Sequence, residues 1–146
     1  MPAISLGGIG GYTRRGSKTI TFDGTADLGA IGNVPLFTVT GEVVIAIIAP
    51  FCTTDLAGAT ATLALGVTGA TTLFIAATTA TDIDANEFWV DTTPDANGVA
   101  LPAALKDILI TDNIVGTVGT AAVSSGVIRL DIYWLPLSSD GNVVAA

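Results

Sequence analysis

The chain has 146 residues, half of them hydrophobic and 12% charged, with 5 basic against 13 acidic side chains and a net charge of -8. That length suits one domain with a core that needs no staples, and the acid excess excludes sequence-independent nucleic-acid binding, which needs lysine and arginine against phosphates. No histidine occurs, so Ser-His-Asp and Cys-His catalysis and imidazole ligation of zinc are excluded as well.

So few charges leave much of the surface to be covered by something other than water, which points to self-association. Cys52 is the single cysteine; it forms no intrachain disulfide and reads as a buried, inert thiol. The longest apolar run, Val43 to Cys52, is interrupted by Pro50 and falls far short of the ~18 residues of a helical span. Met1 to Gly11 lacks the basic and apolar regions of a signal peptide. No membrane partner is expected, and the chain is expected to be soluble where it is made.

The chain opens on Leu6-Gly7-Gly8-Ile9-Gly10-Gly11-Tyr12-Thr13-Arg14-Arg15-Gly16. Glycine loses more backbone freedom on ordering than any other residue, so residues 1–17 are expected to be a flexible arm, with a β domain over 18–146. Arg14, Arg15 and Lys18 are three of the five basic residues, which leaves 19–146 with two basic against thirteen acidic ones, a net of -11. The arm is therefore expected to bind a partner through Ile4, Leu6, Ile9 and Tyr12 for apolar contact and through Arg14, Arg15 and Lys18 for charge.

From Lys18 the pattern has period two. Ile20 and Phe22 share a face and Asp23-Gly24 turns the chain. Val34 to Val39 leads through Thr40-Gly41 into Glu42 to Cys52, and the two are expected to form a hairpin, with Pro35 at an edge or start because it has no amide to donate. The second of them is the most continuous branched apolar stretch in the sequence. It reads as a strand buried on both faces, with Val43, Val44, Ile45, Ile47 and Ile48 expected at an interface between copies.

Ala59 to Val67 alternates, with Leu63, Leu65 and Val67 inward, and Thr68-Gly69 turns it into Thr72 to Ala77. Phe88 to Val90 follows a polar turn, and Leu101 to Leu105 fits one helical turn. Asp107 to Thr111, Ile114 to Val118 and Val127 to Leu135 complete the set. In the last, Ile128, Leu130, Ile132 and Trp134 oppose Arg129, Asp131 and Tyr133. Eight or nine strands divided by glycine, proline and aspartate turns predict an all-β fold, an antiparallel β-sandwich of jelly-roll type, with an open barrel as the alternative.

The remaining motifs carry little chemistry. Gly7 to Gly11 precedes every strand and lacks the helix and Lys-Ser/Thr of a phosphate loop. Asp82, Asp84 and Asn86 imitate the start of a calcium loop, yet Glu87 stands where glycine is needed and Thr93 where the bidentate glutamate belongs; no metal or other cofactor is expected. Carboxylate pairs alone do not establish the flanking geometry of a glycosidase. Trp89 could stack on a sugar, whereas Trp134 falls on the inward face.

Two stretches carry a resemblance: Gly29-Ala30-Ile31-Gly32-Asn33-Val34-Pro35-Leu36-Phe37-Thr38-Val39-Thr40-Gly41-Glu42-Val43 and Gly126 to Gly141. Over roughly residues 25–146 the chain resembles small structural proteins of tailed bacteriophages, encoded among the head genes. The resemblance implies a virion component without catalysis, made in the host cytoplasm. It points to a capsid decoration or cementing protein, a homotrimer whose terminal arm holds the major capsid protein or another virion protein. It supplies no motif from which site residues could be assigned. The alternative is a tail, fibre or spike module that binds a host glycan.

Overall fold

The structure, a computed structural model, describes residues 13–146. Ile4, Leu6, Ile9 and Tyr12 lie outside the described residues. Within them the chain forms eleven strands: β1 (Arg14–Thr21), β2 (Gly32–Thr40), β3 (Val43–Ala57), β4 (Thr62–Val67), β5 (Ala70–Thr79), β6 (Glu87–Phe88), β7 (Asp95–Ala96), β8 (Lys106–Ile110), β9 (Ile114–Gly119), β10 (Ser125–Pro136) and β11 (Asn142–Ala145). Single 3-10 turns occupy Ala80–Asp82 and Ala103–Leu105, the latter inside the expected helical turn.

The strands make two antiparallel sheets packed face to face, so the fold is an all-β sandwich. One sheet has the order β1-β10-β3-β6-β7, with β8 also paired to β3; the other has the order β11-β2-β9-β4-β5. Alternation explains the layering. Ile128, Leu130, Ile132 and Trp134 of β10 are at most 3% exposed and meet Val34, Phe37, Leu65 and Ile114 of the facing sheet in one hydrophobic core. A cavity of about 10 Å³ in it is lined by Leu36, Leu65, Trp89 and Leu130. It is at the lower limit for a single water, and its lining is apolar.

Three expectations are corrected. First, β1 begins at Arg14, so residues 14–17 belong to the sheet and not to an arm: Arg14 to Thr21 pair residue for residue with Trp134 to Val127, which gives the backbone ladder partners that a free arm would lack. Second, β2 and β3 form no hairpin. β2 pairs with β9 and β11, whereas β3 pairs with β10, β8 and β6. The connection at Gly41, with φ of +64°, carries the chain from one sheet to the other, because both strands have an apolar face to bury in the same core.

Third, β3 is not symmetrically buried on two faces. Opposite it, Tyr133 pairs with Ile47 and Trp134 with Ile45, so Ala46 is the extra residue of a bulge. The bulge interrupts alternation and makes a run of buried residues from Val43 to Ala46. On either side of it the alternation holds. Val43, Ile45, Ile48 and Cys52 enter the core, while Val44 and Ile47 lie on the opposite face.

Candidate interaction surface

The outer face of the β1-β10-β3-β8 sheet carries the residues that face away from the core. Across it, Leu135 of β10 stands beside Val44 of β3, and Val44 beside Leu109 of β8. One step along, Tyr133 stands beside Ile47. Leu109 is 68% exposed and Leu137, just past β10, is 53% exposed. These two, with Glu42, Ile110 and Thr111, line a groove of about 190 Å³. The groove is apolar apart from Glu42 and Thr111.

The other end is charged, with two guanidinium groups sharing one carboxylate. Arg15 reaches one carboxylate oxygen of Asp131 at 2.7 Å and Arg129 the other at 2.8 Å. The Arg129 guanidinium also lies 5.4 Å from the Phe51 ring centroid, and Phe51 meets Phe88 edge to face at 5.0 Å. A planar guanidinium stacked on an aromatic ring and paired with a carboxylate is a rigid arrangement. The surface thus runs from an ordered polar and aromatic end to an exposed aliphatic one.

The basic residues expected on a free arm are all engaged by the body. Arg14 lies 5.3 Å from the centroid of the buried Trp134 ring, Arg15 holds Asp131, and the Lys18 ammonium donates to the backbone carbonyl of Ala146. Thr13 is buried, and among the described residues its hydroxyl has no hydrogen-bond partner. Of the five residues expected at an interface, Val43, Ile45 and Ile48 are committed to the core. Only Val44 and Ile47 remain on the outer face.

At the far end of β3 lies an acidic loop. The Asp55 carboxylate accepts from the Ala85 amide at 2.7 Å and Glu87 accepts from the Asp84 amide at 3.0 Å, around Asn86 at φ of +68°. These carboxylates act as acceptors that hold the turn. Desolvation and the neighbouring charges of Asp55, Glu87 and Asp82 raise the Asp84 pKa above its ordinary value. Among the described residues no three metal-ligating side chains converge on a common point. Beneath the loop, burial first and then the same carboxylates push the Cys52 thiol up to about 11. Its Sγ donates to the Thr54 carbonyl at 3.1 Å.

Trp89 is 2% exposed and its indole N–H donates to the Thr78 hydroxyl at 3.0 Å, so the ring is packed in the core and presents no face to a sugar. Sequence reasoning missed the groove. The signal for Leu109 was present, since Ile108 and Ile110 turn inward and period two then sends Leu109 out. Leu137 sits after the last turn of alternation, and its place beside Leu109 depends on which strands pair.

Among the described residues no helix is long and apolar enough to cross a membrane. No family model matches the chain, and no curated protein matches it. Among solved structures it is similar to a chain described as "Cyanophage Pam1 capsid asymmetric unit", at 22% identity over 93% of this chain and 94% of that chain, with a TM-score of 0.52. At that identity the likeness establishes a shared fold.

Proposed function

We propose that this chain is a non-catalytic structural protein of a phage virion, of the capsid decoration or cementing kind. The carrying observation is that its fold matches, nearly end to end, a chain found in a cyanophage capsid asymmetric unit. The match is not to a fragment: almost the whole of both chains is covered. A sequence without histidine and carboxylates occupied with backbone amides support a structural role.

In this reading the protein acts by binding, to itself and to the major capsid protein or another virion protein. Self-association, as a trimer, uses the outer face at Val44 and Ile47 with Tyr133 and Leu135 beside them. Docking uses residues 1–12, with Ile4, Leu6, Ile9 and Tyr12 as the apolar contacts. Arg14, Arg15 and Lys18 serve by fixing the base of that segment to the sheet. The glycan-binding alternative loses its main support with Trp89 in the core.

The test is binding to phage capsids purified without the protein, followed by co-sedimentation and electron microscopy. Ordered added density on the capsid surface is the expected result, and its loss on deletion of residues 1–12 places the anchor there. Full-length protein that stays in the supernatant over intact capsids refutes the reading.

A further inference from the structure

The second sheet, β11-β2-β9-β4-β5, contains no charged residue in any of its five strands. Every acidic and basic side chain of the chain lies in the first sheet or in the connections. The outward positions of the second sheet include Asn33, Pro35 and Thr38 of β2, Thr117 of β9 and Val144 of β11. They alternate with core residues of the same strands, and Asn33 stands beside Thr117 and Thr38 beside Val144. Asn33, Pro35, Thr38 and Val144 are exposed. The chain thus presents a neutral sheet face on an otherwise acidic body.

A chain of net charge -8 repels its own copies, and a contact that buries an unpaired carboxylate adds a desolvation cost. A two-fold contact sets one patch against itself, so a charged patch meets like charge there. The outer face of the first sheet carries Arg15, Arg129 and Asp131, whereas the outer face of the second sets only neutral groups against neutral groups. The free edge of the second sheet is less suited to join copies. The ladder of β5 with β4 is interrupted twice, between Leu63 and Leu65 and between Leu65 and Val67, and bulges turn an edge away from strand addition.

We propose that the outer face of the second sheet is a contact between two copies of this chain, packed sheet on sheet about a two-fold axis. It goes beyond the proposed function, whose self-association uses the opposite sheet, and it requires no capsid. At one corner of the face a Cβ on Gly66 would fall 2.3 Å from the Ala70 carbonyl oxygen, so the start of β5 covers that corner. What remains measures about 20 by 20 Å from the strand spacing and the rise per residue, about 400 Å² of each copy and about 800 Å² for the pair. That is below the roughly 1,200 to 2,000 Å² of stable complexes. The pair is therefore weak in dilute solution and forms where copies are crowded together. Its affinity rises with salt, because salt screens the repulsion between the acidic bodies and the face has no ion pair to lose.

The test is sedimentation velocity on the full chain carrying Ile47→Asp, which removes self-contact through the opposite sheet, at low micromolar and near-millimolar concentration and in low and high salt. A monomer is expected at low micromolar and the mass of two chains near millimolar, with a severalfold larger dimer fraction in high salt. Two double variants, Asn33→Glu with Val144→Glu and Asn33→Lys with Val144→Lys, change exposed positions only, and each should weaken the pair at least tenfold while keeping the sheet spectrum in circular dichroism. Thr38→Lys, also at an exposed position, replaces either one whose spectrum changes. The same variants in the otherwise unmodified chain should remove a final doubling of mass near millimolar, which keeps the test available if Ile47→Asp does not fold. A monomer under every condition overturns the proposal, as does a pair that salt weakens. A pair that neither variant alters lies on another face. A pair lost with glutamate and kept with lysine reports the net charge of the whole body, and that too overturns the assignment to this face. Because no capsid is present, failure here leaves the docking reading to its own experiment.

Discussion

The Arg14 guanidinium sits 5.3 Å from the centroid of the Trp134 ring, so a cation of the basic N-terminal run covers an aromatic of the core. Arg15, its neighbour, points to the opposite face and pairs with Asp131. Exposed cation–π contacts contribute about 0.5 to 1 kcal/mol, and the Arg14 stem adds packing over the ring.

Arg14→Ala should therefore lower stability by about 1 kcal/mol in urea unfolding followed by tryptophan fluorescence. Arg15→Ala, whose ion pair is half-exposed, should cost less, between about 0 and 1 kcal/mol, and that loss should shrink at high salt. A larger cost at Arg15 than at Arg14 would contradict the placement of the two side chains.

Ile45 and Ile47 separate core from surface on one strand. Ile45→Asp buries an unpaired carboxylate and should cost several kcal/mol, enough to abolish the folded circular-dichroism signal. Ile47→Asp should keep the sheet spectrum. If the outer face joins copies, light scattering should then show the Ile47→Asp variant dissociated while the unmodified protein is an oligomer at micromolar concentration. An unmodified protein that scatters as a monomer would remove the self-association part of the proposed function.

Gly126 has φ of +115° at the bulge where β10 enters the sheet, and a Cβ there would fall 2.8 Å from the Leu56 Cα. Backbone cannot give way as a side-chain end can. Gly126→Ala should destabilise by about 1 to 3 kcal/mol, read as a shift of the urea midpoint without a change in slope. An unchanged midpoint would mean that the bulge relaxes freely.

The acidic loop makes a pH prediction with a defined sign. Since the Asp84 pKa is raised in the folded protein, the folded state binds a proton more tightly than the unfolded one, and stability from this group falls as pH rises from the ordinary value of 3.8 through the folded one. Asp84→Asn should thus stabilise at neutral pH, by at most about 0.5 kcal/mol for an exposed site, and the gain should vanish below pH 3.8. Asp23 acts in the opposite sense. Its pKa is lowered by the Thr25 hydroxyl and amide, so its contribution is present above 3.8 and lost as pH falls through its folded value. A gain for Asp84→Asn that grows on acidification would reverse the assignment.

Period-two alternation was enough to find most strands and to choose the inward face of β10, because a side chain's face is decided locally by the pleat. The apolar context of Cys52 was enough to place it in the core, and composition alone excluded histidine-dependent chemistry. Two things needed the tertiary structure. The long apolar run of β3 read as burial on two faces, when an inserted Ala46 merely shifts the alternation; a bulge is defined by the partner strand and leaves no mark of its own in one sequence. The pairing of β2 with β9, rather than with its chain neighbour β3, was equally illegible, since apolar strands joined by a short turn suit a hairpin or a crossing between sheets alike. The same reason hid the groove: Leu109 and Leu137 become neighbours only once β8, β3 and β10 are laid side by side. Strand identity is a local property of the chain, and strand partnership is a property of the whole core that the strands must jointly fill.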